Sequence, residues 1–236
     1  FVNKYKKELE YFSKDDYKGA EQIWAICQDN RGVMYFGNLA QGVLEYDGIN
    51  WTHIPISNNS IIRSLVADSV GTIYVGGVND FGYLQPNMVG KLEYKSLSAG
   101  ISESYKDVWK IIILKNEVYF CSSKYIFVYR DKKLVKTHYI DEYGFLSFLV
   151  NGKIYWGNYT GGLKVLENES FVDAPGASFF KEKDIFVMLP YEDNKIFIGT
   201  YDHGCYLYDI ESGKPENIVK INSNFKFLSN LLVESR

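Results

Sequence analysis

Cysteine is scarce in this chain, with three in 236 residues, Cys27, Cys121 and Cys205. An odd number at unrelated places does not make a disulfide framework, and each reads as a small apolar core side chain. Histidine is equally sparse. His53, His138 and His203 form no paired spacing and no Cys-x-x-Cys motif exists, so neither a metal site nor a cofactor is expected. Long apolar runs are missing too: Ile111–Leu114 is strand-sized, far short of the roughly 18 to 20 residues of a membrane helix. No basic start leads into an apolar signal core. Phe1 opens the sequence, so any export signal is expected to have been removed or to lie outside it.

Positive charge is lacking as well. A formal charge of -3 and a pI near 5.7 leave no electrostatic footprint for nucleic acid, and no direct contact with it is expected. The one basic cluster, Lys4, Lys6 and Lys7, is followed by Glu8 and Glu10 and reads as a solvated strand edge. Catalytic signatures are absent in the same way. There is no Gly-x-Ser-x-Gly elbow and no phosphate loop, and Asp29 and Asp68 occupy the same repeat position in turns, so the segment is not expected to be an enzyme.

Aromatic residues are what the chain has in quantity, with 20 Tyr and 15 Phe, a composition that favours strands. They recur in a repeated phrase. An apolar strand runs into a polar turn, and a second strand reads Tyr-x-Gly or a relative, as in IWAICQDNRGVMYFGN from Ile23 to Asn38. The anchors Gly37, Gly76, Cys121, Gly157 and Gly199 are about 40 residues apart, a period that marks stacked or circular repeats. Asp29 to Gly32 and Asp68 to Gly71 carry hairpin-turn chemistry, Asp bonding its own backbone and Gly taking a positive φ.

Four short strands per unit and no helices predict an all-β fold, a β-propeller of four-stranded blades. The blade cores are read as residues 23–54, 62–95, 108–140, 145–172 and 185–220, with 227–236 as the first strand of a further blade and Lys7 to Phe12 as a stray outer strand. The whole of 1–236 is then one propeller segment, part of a ring of six or seven blades. The columns Tyr35, Tyr74, Tyr119, Tyr155 and Phe197 are expected to form the core between blades.

The segments IWAICQDNRGVMYFGNLAQGVLEYDG, IIRSLVADSVGTIYVGGVNDFGYL and IFIGTYDHGCYLYD resemble the two-component-regulator propeller repeat. The resemblance implies a non-enzymatic sensory module, periplasmic, that feeds a membrane-linked transcriptional response and takes glycan fragments as ligands. It implies attachment to the membrane through a helix downstream of this chain, and a homodimer through the parent receptor. Two other classes stay open: a polysaccharide-processing enzyme built on the same fold, and a scaffold for protein interaction or dimerisation.

Propeller geometry then selects the candidate site. Loops entering the innermost strand and loops joining the second strand to the third share one face around the channel mouth. Trp24, Arg63, Trp109, Phe145 and Phe186 fall at the strand starts, and Asn79, Asp80, Tyr159, Tyr201 and His203 in the second-to-third loops. Aromatic rings beside polar groups suit an oligosaccharide, whose apolar ring faces stack while its hydroxyls take hydrogen bonds.

Overall fold

A computed structural model describes residues 10–39, 42–57, 60–140, 144–192 and 194–219. They form five antiparallel sheets of four strands, each built from consecutive strands in simple up-and-down order. The first holds β1 (Ile23–Gln28), β2 (Met34–Asn38), β3 (Val43–Tyr46) and β4 (Trp51–Ile54); the second β5 (Ile62–Ala67), β6 (Ile73–Gly77), β7 (Phe81–Pro86) and β8 (Leu92–Ser96). The third holds β9 (Val108–Leu114), β10 (Glu117–Ser122), β11 (Tyr125–Arg130) and β12 (Lys133–Tyr139). The fourth holds β13 (Gly144–Val150), β14 (Lys153–Asn158), β15 (Gly162–Glu167) and β16 (Ser170–Asp173). The fifth runs β17 (Ile185–Glu192), β18 (Lys195–Thr200), β19 (Cys205–Asp209) and β20 (Pro215–Val219). One helical turn, α1 (Lys14–Tyr17), and one 3-10 turn, Ala177–Phe180, are the helical elements among the described residues.

The hairpin turns form as their residue types require. Asp68 Oδ1 accepts from the backbone N–H of Val70 at 3.0 Å and of Thr72 at 2.7 Å. Gly71 closes the turn at φ 90, where a side chain would be strained. Asp29 does the same for Arg31 and Val33. These carboxylates are consumed by their own turns.

Inner strands pack in chain order, β1 on β5, β5 on β9, β9 on β13 and β13 on β17. Each joint has its own apolar cluster, and in each the Tyr of Tyr-x-Gly points at the following sheet: Tyr35, Tyr74, Tyr119 and Tyr155 are buried there. Phe197 is the exception to the expected column. It is half-buried because the face it occupies meets no further sheet among the described residues, and Leu189, Tyr191 and Ile218 in the same sheet are exposed. The expected strand over Leu228 to Glu234 lies outside the described residues.

The repeat glycine now has a physical reason. A Cβ on Gly37 would meet Ile62, one on Gly76 would meet Val108, and one on Gly157 would meet Ile185, the first residue of the next inner strand each time. The third sheet departs in step with its sequence. Cys121 replaces the glycine, and the residue opening the next inner strand is Gly144, over which the Trp156 ring lies. Bulk removed from one side of the joint is restored on the other, where Cys121 and Trp156 share one core cluster.

On the opposite side of the first sheet, residues 10–20 cover the face turned away from its neighbour. Residues 7–9 of the expected outer strand Lys7 to Phe12 lie outside the described residues, and residues 10–12 form no strand. Phe12 instead packs edge-on against Tyr46 at 5.0 Å and Trp51 at 5.3 Å, and Tyr17 leans on Trp51. Aromatic contact draws this segment onto the sheet face, since pairing with a strand edge would leave those rings in water.

The three cysteines are free thiols, Cys121 and Cys205 buried and Cys27 partly so. Burial pushes the Cys27 and Cys121 thiols up to about 12 and raises that of Cys205. The thiolate is the reactive form. A chromogenic disulfide reagent at pH 8 is therefore expected to leave all three unmodified in the native protein and to titrate all three in denaturant. Rapid modification of Cys27 in the native state would contradict that placement.

Candidate functional site

The innermost strands of all five sheets line a channel cavity of about 340 Å³. At one end of it, each inner strand slips register by one residue against its neighbour. The extra residues are Trp24 between Ile23 and Ala25, Arg63 between Ile62 and Ser64, and Trp109 between Val108 and Lys110. Phe145 and Phe186 are the extra residues of β13 and β17. A β-bulge turns its extra residue off the regular alternation and re-aims it. The five bulges fall at one register, and four of them set Trp24, Arg63, Trp109 and Phe186 around the same channel mouth.

Three of these residues close on one another. The Arg63 guanidinium lies 4.2 Å from the Trp24 ring centre and 4.7 Å from that of Trp109, a cation seated in the corner that the two rings make. The two indoles stand edge to face at 6.3 Å. Arg63 Nε donates to Asp107 Oδ1 at 2.7 Å, and both side chains are largely buried, 14% and 22% exposed. Arg63 Nη1 is enclosed and meets no hydrogen-bond partner among the described residues. The stack spans three sheets, since Trp24 comes from β1, Arg63 from β5 and Trp109 from β9.

Asp107 is the member that sequence reading missed. It sits immediately before β9, in a loop pinned by Asn79, whose backbone N–H donates to the Lys106 carbonyl at 2.8 Å. Val78 and Asp107 also form an isolated bridge. The signal was faint, a carboxylate two residues ahead of an inner-strand tryptophan. Nothing local tells that its partner is an arginine far back in the chain.

The remaining candidates are distributed around the rim. Asn79 is exposed in the left-handed region at φ 57, and its backbone holds the loop. Asp80 is buried and turned to the outer strand, where Oδ1 accepts from Ser96 and Ser98 hydroxyls, both at 2.7 Å. Its neighbour Tyr94 is pushed up by burial and by the Asp80 charge. Tyr159 and Tyr201 are exposed, at 49% and 56%.

Tyr201 packs its ring on Phe186 at 5.4 Å and donates its backbone N–H to Asp184. His203 Nδ1 pairs with Asp202 Oδ1 at 2.5 Å. Burial raises the Asp184 carboxyl, with Asp202 adding to the shift and His203 opposing it. The mouth thus has a closed half, Trp24–Arg63–Trp109–Asp107, and an open half, where Phe186, Tyr201 and Tyr159 expose ring surface.

A larger cavity, about 1260 Å³, opens at the other end of the channel, where the β5–β6 and β9–β10 hairpins turn. It shares Val66, Lys110 and Phe148 with the channel. The register shifts at that end, at Tyr129 of β11 and between Pro190 and Glu192 of β17, do not recur from sheet to sheet, and the Asp68 carboxylate is held by its turn. The channel wall itself carries two charged side chains among the described residues, Arg63 and Lys110.

No family model matches the chain, and no curated protein is similar to it in sequence. Solved structures are similar in fold. The WD40 β-propeller domain of Doa1 superposes with a TM-score of 0.67 at 13% identity, covering 88% of this chain and 71% of that one. Virginiamycin B lyase from Staphylococcus aureus gives 0.66 at 11% identity, covering 86% and 71%. The extracellular domain of the putative one-component system BT4673 from B. thetaiotaomicron gives 0.63 at 17% identity, covering 86% of this chain and 29% of that one. Likeness at these identities establishes the β-propeller fold, shared here by the extracellular domain of a putative one-component system and by a lyase. Among the described residues, no helix is long and apolar enough to cross a membrane.

Proposed function

We propose that this chain is a non-enzymatic, ligand-sensing propeller from the periplasmic part of a membrane-linked regulator, and that it recognises glycan fragments at the bulged channel mouth. The observation that carries this reading is the ring of five bulges, which spends backbone regularity in every sheet to aim aromatic and cationic side chains at one point. Aromatic faces with hydrogen-bonding neighbours fit sugar rings. The extracytoplasmic setting is supported by the sequence resemblance and by the receptor domain among the structural neighbours.

Hydrolysis or elimination of a glycan needs paired acid and base groups across the bond. At the mouth, Asp107 is tied to Arg63 and Asp202 to His203, which favours recognition over turnover. In this reading the signal leaves through a downstream membrane helix, and the parent receptor works as a homodimer.

The test is calorimetry of the purified chain against a panel of plant and host oligosaccharides, with chromatography of the same mixtures. Saturable binding without product is the expected result. Cleaved product would overturn the sensor reading in favour of an enzyme. Trp109→Ala and Arg63→Ala should each weaken the binding by about 1–3 kcal/mol, the cost of losing a central anchor. Thermal melts check that both variants stay folded, and unchanged affinity in both would remove the mouth as the site.

A further inference from the structure

We propose that Asp107 makes the channel mouth selective for neutral oligosaccharides over uronate-bearing ones. This inference rests on the glycan reading above and names the ligand class of that same site. Arg63 alone would suggest the opposite, since a guanidinium beside aromatic rings is good recognition chemistry for a carboxylate. Its surroundings remove that option. Trp24 and Trp109 crowd it from two adjacent sides, and Nε is bonded to Asp107.

The charge is therefore neutralised within hydrogen-bonding distance by a carboxylate that is itself only 22% exposed. At that depth the pair is weakly screened. A ligand carboxylate reaching this cluster would have to displace Asp107 or lie beside it, and like charges forced together oppose binding. The other side of the mouth offers no compensation. Its carboxylates are Asp184, raised by burial, and Asp202, which holds His203. Lys110, the remaining cation of the wall, lies one residue beyond Trp109 on β9 and lines both cavities, so it belongs to the channel below the rim.

A neutral sugar meets none of these obstacles. Arg63 Nη1 is a donor without an acceptor among the described residues, and such a buried group costs free energy until it is satisfied. Trp24, 37% exposed, offers a sugar ring open aromatic surface beside the same guanidinium. Asp107 thus acts through Arg63 as a positioning and specificity-determining residue.

The experiment compares neutral hexose and pentose oligomers with oligogalacturonate of equal length, on the native chain and on Asp107→Asn. The native chain should prefer neutral oligomers by about tenfold or more, the scale of one opposed charge contact. Asp107→Asn keeps the shape and removes the charge, so this preference should fall to parity or invert. The preference is a ratio, which a merely structural loss of Asp107 would leave unchanged while both affinities fell.

Should the variant not fold, the ionic-strength dependence of the native chain decides: oligogalacturonate affinity that rises with salt, as repulsion is screened, supports the inference, and affinity that falls with salt overturns it. Native preference for oligogalacturonate, or an unchanged ratio in Asp107→Asn, would overturn the charge inference while the glycan reading stands. Binding of neither class would overturn the glycan reading and the inference with it.

Discussion

Phe81→Ala is expected to lower the unfolding free energy by about 3–5 kcal/mol, the range for emptying a buried aromatic site. Phe81 has no exposed surface. Its ring stacks on Phe120 at 4.4 Å and Phe127 at 5.3 Å, and meets Tyr105 at 5.4 Å and Tyr129 at 5.7 Å edge-on. Those partners belong to the next sheet or the loop leading to it, so the cavity would open inside the joint between the second and third sheets. For a chain of this size the midpoint of thermal unfolding should fall by roughly 6–20 °C. Tyr201→Ala, with its ring largely in solvent, is the control and should cost less than about 1 kcal/mol. A loss below about 1 kcal/mol for Phe81→Ala, read from urea and thermal melts, would mean that the joint collapses freely around the missing ring.

Gly76→Ala should cost about 1–3 kcal/mol by overpacking. The added Cβ would sit 2.4 Å from Ser64 Oγ and 2.7 Å from Val108 Cγ1. It would also disturb the hydrogen bond that Ser64 Oγ donates to the Val108 carbonyl at 2.8 Å. The clash is shared between two sheets, so relief should come from the other side. Gly76→Ala combined with Val108→Ala is expected to recover part of the loss, with a coupling near 1 kcal/mol in a double-mutant cycle. The natural exchange at Cys121 and Gly144 follows the same rule of constant volume. Strict additivity of the two substitutions would show that the glycine serves strand geometry and not the packing of one sheet on the next.

How much could be read in advance differs between scaffold and site. The hairpin from Asp68 to Gly71 was legible because its determinants lie within four residues, a carboxylate and a glycine whose preferences are intrinsic. The bulged residues were also visible as a set. Trp24, Arg63 and Trp109 occupy one repeat position, and a repeat carries its register from unit to unit. Asp80 was harder. It shares a loop with Asn79 at the rim, yet its carboxylate turns to Ser96 and Ser98, hydroxyls whose nearness only the folded outer strand creates.

The β-propeller follows from local preferences: alternating apolar strands, Asp-to-Gly turns and a Tyr-x-Gly anchor, repeated until a single architecture satisfies them all. How the mouth uses its charge, by contrast, emerges from the packing of folded sheets. Arg63 and Asp107 stand 44 residues apart in the chain, and the two tryptophans around the guanidinium come from the sheets on either side. Which counter-ion a cation finds, and whether its faces are open or covered, depends on how whole sheets pack. A short-range Coulomb contact is strong at 2.7 Å and vanishes when the same residues are merely neighbours in a list.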